Sequence, residues 1–401
     1  MPVTRRTFLR SFVAATATAL AGCGSLAGVL PSSDAPGVLG TTTLTIWTTS
    51  YTIDAALARW RGTHSRQSVT RKVAQPAQLG TWITECLRGE RPIPDLVITD
   101  ASTIAAWNMQ SFWRHLQTDA QTDALHVPNG RMQATDATGA RFAIPIAVNP
   151  LGAWYSRSIL GGFMPGSHPE QVEAAFGPTA QSFTDFLGRA ATANPRGPLL
   201  SSTLDDYVLP QLDNAVMHGI DIGSDWQESL ITAARNAQQQ RLVAAERHYS
   251  GNWYQGISHE HTGIIIAGRW MQQALRRVID APISDWRLCA PAGGYIAGPS
   301  LLCAVPEASN HPEQAIALAT DLANNTELQL LVSDAGGLVP SLLAAHQDAP
   351  FVGSDSFCGG QSIGQIWCAA AATLTGVPLT TMVIKRRNEL QNTLVNAFST
   401  S

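Results

Sequence analysis

The sequence predicts an α/β protein with two sheets, and three observations lead there. Short apolar strands alternate with helix-period segments from residue 42 onward. Two of the strands, around Leu96-Val97-Ile98 and Ile264-Ile265-Ile266, are apolar on both faces, as strands covered by helices are. The length, 401 residues with 45% hydrophobic and 14% charged, leaves room for two ordinary domains and a large core.

The elements follow in order. Thr42 to Trp47 alternates polar and apolar and predicts the first strand. Thr48 to Tyr51 is the loop at its carboxyl end. A helix is predicted over Asp54 to Arg61, a strand over Ser68 to Val73 and a helix over Leu79 to Arg88. The Pro94-Asp95 turn then leads into a buried strand that ends in Thr99 and Asp100. This β-α-β-α-β order predicts a parallel sheet with right-handed crossovers. Ligands of open α/β sheets are met at the carboxyl ends of such strands, so Asp100 is a candidate contact as well as a cap for the next helix.

Arg141 to Val148 is extended, with Pro145 marking an edge or a crossing segment. Asn149-Pro150 reads as a break, and Leu151 to Tyr155 resumes the strand. That pattern suits a chain passing between two lobes. Ser182 to Asp185 predicts a capping box, followed by Phe183, Phe186, Leu187 and Ala190 on one helical face. A short strand at Leu199 precedes Asp205-Asp206-Tyr207, and Gln227 to Arg247 reads as a mostly polar surface helix. Gly263 to Gly268 is a buried strand with Arg269-Trp270 at its carboxyl end and a helix from Met271 to Val278. Strands are predicted over Trp286 to Ala290 and Ser300 to Val305. Pro312 opens a helix at its first position. Thr326 to Gln329 predicts a second capping box, on a helix ending at Gly336-Gly337. The last helical region, Ser362 to Phe398, is broken near Gly376-Val377-Pro378.

The N-terminus reads as an export signal. Thr4-Arg5-Arg6-Thr7-Phe8-Leu9-Arg10 is a twin-arginine motif, and the apolar stretch after it is too short to span a bilayer. Leu20-Ala21-Gly22-Cys23 resembles a bacterial lipobox, which implies a signal peptide over 1–22, lipidation (palmitate) of Cys23 and a lipoprotein held at the outer face of the cell membrane. Loss of Arg5, Arg6 and Arg10 takes the net charge from −4 to −7. Residues 23–40, rich in Gly, Pro and Ser, read as a tether with a root-mean-square reach of roughly 20–25 Å. Basic residues are nearly all Arg and form no patch, so no nucleic-acid partner is expected. Of the five remaining cysteines, Cys86, Cys289, Cys303, Cys358 and Cys368, the pairs Cys358 with Cys368 and Cys289 with Cys303 could close disulfides; buried free thiols are the alternative, and with five at least one stays unpaired. No cysteine spacing or His cluster points to a metal. His259-Glu260-His261 offers two ligands without a nearby third, and no cofactor is expected.

From residue 42 to 397 the chain resembles the family 1 extracellular solute-binding proteins, the sugar-binding lipoproteins of ABC importers. The markers run in order: the Leu44-Thr45-Ile46-Trp47 strand, Pro94-Asp95-Leu96-Val97, Ala143-Ile144-Pro145 followed by Trp154-Tyr155, Gly268-Arg269-Trp270, Pro291-Ala292-Gly293-Gly294 with Cys303-Ala304-Val305-Pro306, and Gly336-Gly337-Leu338-Val339-Pro340. The resemblance implies the type II periplasmic-binding-protein-like fold, two α/β lobes around a ligand cleft. It places lobe 1 at 41–148 plus 298–343 and lobe 2 at 149–297 plus 344–401, with hinge residues such as Asn149 and Gly298. It further implies a monomer with a carbohydrate or polyol ligand and an ABC permease as partner. Two departures, Ser156 after Trp154-Tyr155 and the Ala297-Gly298-Pro299-Ser300 turn, fall near the cleft, so the sugar is not inherited.

Sugars present hydroxyl edges and apolar C–H faces, and their sites join aromatic platforms to a few polar partners. By position in the resemblance, Trp270 is the stacking platform, Arg269 beside it a donor to hydroxyls or phosphate, and Trp367 an aromatic from the C-terminal helices. From context, Ser50, Tyr51, Asp100, Asn149, Tyr207 and Trp253 join the candidate set. Trp60, Trp82 and Trp113 lie in helical patterns and read as core. Two other ligand or activity classes stay open: a glycerophosphodiester or phosphorylated polyol met by Arg269, and a secreted carbohydrate-active enzyme using Asp205 or Asp206 with Glu260. No nucleophile elbow or phosphate loop is present, and the leading expectation is a binding protein, not an enzyme.

Overall fold

The computed structural model describes residues 42–399, apart from 109–111, 118–119, 165, 194–198, 218–219, 221, 260 and 280–283. The twin-arginine motif, Cys23, the tether and Glu260 therefore lie outside the described residues. Among those described, no helix is long and apolar enough to cross a membrane.

The first strands form as their periodicity dictates. β1 (Thr42–Thr48) lies between β2 (Gln67–Val73) and β3 (Leu96–Asp100), parallel to both. The alternation in β1 sends Leu44 and Ile46 to one face and Trp47 to the other. On the first face they meet Leu57 and Trp60 of α1 (Asp54–Thr63); on the second, Trp47 meets Leu79 and Ile83 of α2 (Pro76–Leu87). Trp60 is buried on α1 as expected; Trp113 is buried too, but outside any helix, in a bridge to Pro306 with its indole N–H donating to Ile104 O, and Trp82 on α2 is only partly buried. Asp95 is buried too: its carboxylate accepts from Thr45 N, Ser309 Oγ and His311 N, which stitches the entry of β3 to β1 and to a later loop.

Past β3 the sheet stops being parallel. β3 pairs antiparallel with β7 (Ile296–Ala304), β7 with β4 (Ile144–Ser156) and β4 with β5 (Ile264–Ala267), giving the order β2-β1-β3-β7-β4-β5. β4 is one strand of 13 residues. The expected break at Asn149-Pro150 is absent, because Asn149 pairs with Gly298 and Pro150 with Ala297, and two register shifts just before them absorb the irregularity. β7 likewise begins four residues before the expected Ser300. The first half of β4 pairs with β7 and with β8 (Val339–Pro340); the second half runs between β5 and β6 (Trp286–Cys289), antiparallel to each. Each half of the sheet is covered on two faces, so four apolar clusters form around one pair of crossing strands.

Several local expectations move by a few residues. α4 (Pro128–Gln133) supports the crossing from below. α5 (Ala180–Ala193) is capped by the reciprocal pair Thr179 and Ser182, three residues before the predicted box, while Phe183, Phe186, Leu187 and Ala190 do form its buried face. α6 (Leu209–Met217) follows a π-helical turn over Thr203–Val208. α7 (Ser224–Gln239) ends well before Arg247. Arg241 takes φ +56° and Leu242 N bonds back to Ala237 O, turning Leu242 and Val243 into the core beside Leu200. After α8 (Gly251–Ser258), α9 (Met271–Val278) and α10 (Pro312–Asn324), α11 (Thr326–Gly336) is capped by Asn325, not by Thr326, and closes on Gly337 at φ +59° as expected. α12 (Ile363–Thr373) and α13 (Thr381–Ser399) complete the chain. Cys86, Cys289, Cys303, Cys358 and Cys368 are all buried free thiols; neither candidate disulfide forms.

Candidate functional site

β5 and β6 run antiparallel to β4, so their carboxyl ends return to the crossing, where β1 and β3 also end. The polar and aromatic residues that the strands deliver there define the site.

On the β1 side, the loop folds on its own hydroxyls: Ser50 N donates to Thr48 Oγ1 and Thr52 N to Ser50 Oγ. Thr49 and Thr99 share a hydrogen bond of 2.8 Å. Tyr51 is 55% exposed, with the Arg71 guanidinium 4.9 Å above its ring and Asp54 paired to that arginine. Asp100 caps α3 (Ala101–Ala106): Thr103 donates to it through N at 2.9 Å and through Oγ1 at 2.6 Å. That leaves its carboxylate committed to the chain.

On the β5 side, Trp270 is half-buried and faces Tyr249 at 6.0 Å and His248 at 6.4 Å between ring centroids. Tyr249 was not among the sequence candidates. It is 49% exposed, and its backbone holds φ +65°, a conformation a bulky residue adopts only under constraint. The constraint is visible beneath it. Asp206 is buried; its Oδ1 accepts from Ile266 N and from His248 Nε2, both at 2.8 Å, and Ser201 Oγ donates to Oδ2. Trp253 Nε1 donates in turn to Ser201 Oγ at 2.9 Å. Asp205 holds Arg247 bidentately and accepts from His248 N at 2.7 Å. Both flanks of Tyr249 are thus tied down. Trp253, buried at 1% exposure, supports this wall and does not face the cleft. Tyr207 is buried as well, its hydroxyl bonded to Thr184 at 2.8 Å, and with Asp206 and Ile266 it lines a cavity of about 220 Å³.

Asn149 sits at the crossing, between two glycines. A Cβ on Gly268 would fall 2.3 Å from Asn149 Oδ1 and 2.8 Å from Trp270 Nε1, so only glycine lets the platform and the crossing strand approach. Asn149 Oδ1 is buried without a hydrogen-bond partner among the described residues. Gly337 does the same from α11: a Cβ there would lie 2.4 Å from Trp270 Cα. Arg269 is turned away from the cleft. Its Nη1 donates to Ser333 O, Ser333 Oγ and Leu338 O, its Nη2 pairs with Asp334 at 3.0 Å, and Phe351 lies under it at 4.6 Å. The guanidinium thus meets the carbonyl end of α11, where a cation complements the helix dipole. Trp367 is fully buried against Trp154 and Tyr295. The structure therefore gathers Asn149, Trp270 and Tyr249 at one edge, with Trp253 behind them. It places Ser50 and Tyr51 on the loop after β1, Tyr207 in the wall of a small cavity, and Asp100 and Trp367 inside packing. No group of three or more metal-ligating side chains comes together among the described residues.

The buried His248–Asp206 pair gives the site a pH signature. Burial lowers the imidazole pKa, but the Asp206 charge and hydrogen bond, with Asp205, raise it further, and the net shift is upward. A raised histidine pKa stabilises the fold fully below the unfolded value of about 6.5, and the contribution is lost as pH rises through the folded value. Wild type should therefore lose more melting temperature than His248→Gln between about pH 6 and pH 9; parallel curves for the two proteins would show that the pair carries no charge linkage. Asp205 acts oppositely. Burial raises its pKa, but the Arg247 and His248 hydrogen bonds lower it more, so its contribution is lost only as pH falls into the acid range.

No family model and no curated protein matches the chain by sequence. Solved structures do match in fold. One, described as an extracellular solute-binding protein of family 1, superimposes with a TM-score of 0.77 at 14% identity, over 89% of this chain and 94% of that one. The ABC-transporter-associated binding protein of Bifidobacterium animalis subsp. lactis Bl-04, in complex with β-1,6-galactobiose, gives 0.67 at 14% identity over 90% and 93%. The galacto-N-biose/lacto-N-biose I-binding protein of the ABC transporter from Bifidobacterium longum, in complex with lacto-N-biose, gives 0.65 at 14% identity over 90% and 94%. The fold is thus the two-lobed α/β fold of the extracellular solute-binding proteins.

Proposed function

We propose that this protein is the substrate-binding component of an ABC importer, that it works outside the cytoplasmic membrane, and that it captures a neutral carbohydrate or polyol without chemical change. The observation that carries the reading is the Tyr249–Trp270 pair: two exposed or half-exposed rings braced from behind by a buried polar network. Rings of this kind supply apolar faces for sugar C–H surfaces, and the unpartnered Asn149 Oδ1 supplies an acceptor for a hydroxyl. Sugar complexes among the fold neighbours support the same ligand class.

The arginines argue against a phosphorylated ligand. Arg71 is paired with Asp54, Arg247 with Asp205, and Arg269 with Asp334 and three acceptors on or just after α11, so these three are committed within the chain. The hydrolytic reading finds little support either: Asp205 and Asp206 are each consumed by internal donors.

In this reading lobe 1 comprises 41–148 plus 298–343 and lobe 2 comprises 149–297 plus 344–401, with closure about Asn149 and Gly298. The C-terminal helix α13 touches both sides: Thr381 donates to Ala105 O, and Arg387 pairs with Asp213. The twin-arginine signal and Cys23 anchor belong to the same proposal and rest on sequence. A thermal-shift screen of neutral oligosaccharides against glycerophosphodiesters is the direct test, since ligand at 100 times Kd adds about 2.7 kcal/mol of stability. A neutral sugar should raise the melting temperature and shrink the radius of gyration in solution scattering. Stabilisation by the phosphodiesters alone would overturn the neutral reading, and a Cys23→Ala protein that stays with the membrane would overturn the anchor.

A further inference from the structure

Away from the cleft, two adjoining cavities of about 670 and 490 Å³ open between the segment 114–117, α4, the hairpin over 135–141 and α10. They share Leu116, Gln117, Asp123 and Arg141. Their charged lining is unbalanced: Arg114, Arg131 and Arg141 face one carboxylate, Asp123. Arg141 is 8% exposed and pairs with Asp123 at 2.8 Å. Arg114 is drawn outward by Glu307 at 3.2 Å. Arg131 has no carboxylate within 4 Å among the described residues, and its Nε is buried without a hydrogen-bond partner; so is Nε of Arg114. Asp136, in the same hairpin as Arg141, accepts from Thr138 and Ala140. His126 is bonded to Ser341 and Asn324, and burial pulls its pKa down, so it adds no charge at neutral pH.

A buried guanidinium N–H without an acceptor is costly, and Arg131, with no carboxylate of its own, repels the neighbouring Arg141. An oxyanion supplies the missing countercharge, and its oxygens match the planar fork of arginine bidentately. We propose that this groove is a binding site for a small oxyanion, phosphate or carboxylate, held by Arg131 and by Arg141, with Asp123 as the charge the anion competes against. The size of the cavities admits a ligand body larger than the bare anion. The site is independent of the sugar cleft and uses none of its residues.

The test is titration calorimetry of the full chain with inorganic phosphate and, separately, with citrate, at ionic strength held constant by sodium chloride. Wild type should bind at least one of the two, and which one assigns the anion. Arg131→Gln should weaken that binding about tenfold or more. Arg131→Lys, which keeps the charge and loses the fork, should fall between them. Asp123→Asn, which frees Arg141, should tighten it severalfold. Arg131 is only partly buried, and the melting temperature of each variant reports its folding. Absence of binding by wild type to either anion overturns the proposal, and so does an Arg131→Gln protein that binds as wild type does; in that case the anion is adventitious.

Discussion

Asp206→Ala should cost about 3–5 kcal/mol of folding stability, the range for removing one partner of a buried ion pair. The Asp206 side chain is fully buried and the His248 side chain 10% exposed, so water cannot take the place of the lost carboxylate. Three donors lose their acceptor at once: Ile266 N in the middle of β5, His248 Nε2 and Ser201 Oγ. His248 can release its proton and soften the loss, but the Ile266 amide cannot. Asp206→Asn separates these contributions. Its amide oxygen can still accept from Ile266, while the charge pair is gone, so it should cost less than half as much and remove the pH dependence ascribed to His248. Denaturant unfolding measures both, with an unchanged slope showing that the native state alone is affected. Two variants that unfold within about 0.5 kcal/mol of wild type would mean that this network braces nothing.

The same network shows which parts of the molecule were legible in the sequence. Strand β1 and its flanking helices follow from period alone, because Leu44, Ile46 and Trp47 alternate and Leu57, Trp60, Leu79 and Ile83 recur at helical spacing. The caps were misplaced by a few residues, since Thr, Ser and Asn stand next to one another and only geometry decides which accepts. Asn149-Pro150 reads as a break because proline lacks an N–H, yet at the crossing Asn149 pairs with Gly298 and Pro150 with Ala297, after two register shifts in β4. Arg269 and Trp270 were found as a pair at a strand end, but local sequence could not show that the arginine points to the carbonyl end of a helix 64 residues away. Tyr249 was missed altogether. It belongs to no helix or strand, and its role arises from ties made by its neighbours. The available signal was density, not period: His248, Tyr249, Trp253 and Tyr254 crowd into seven residues beside Asp205 and Asp206 in space.

Tyr249 and Trp270 together carry the largest expected effect on binding. Trp270→Ala should weaken sugar affinity by roughly 1–3 kcal/mol, taking base–aromatic stacking as the guide. Its ring is only half-buried, so the loss of stability should stay well below the roughly 3–5 kcal/mol of a core tryptophan. Tyr249→Gly is the sharper experiment. At φ +65° glycine pays no steric penalty, so the empty protein should be as stable as wild type or more stable, by up to about 1 kcal/mol. Its ring is gone all the same, and affinity should fall by about the same 1–3 kcal/mol. Stability and binding thus move in opposite directions, which a purely structural tyrosine cannot produce. Because the rings face each other at 6.0 Å, the double variant should lose less than the sum of the singles, with a coupling of about 0.5–1.5 kcal/mol. Calorimetry with the sugar found in the screen, alongside melting of the empty proteins, gives all four corners of the cycle. If Tyr249→Gly binds the sugar as tightly as wild type, the wall is not the platform, and the ligand must be held by other residues.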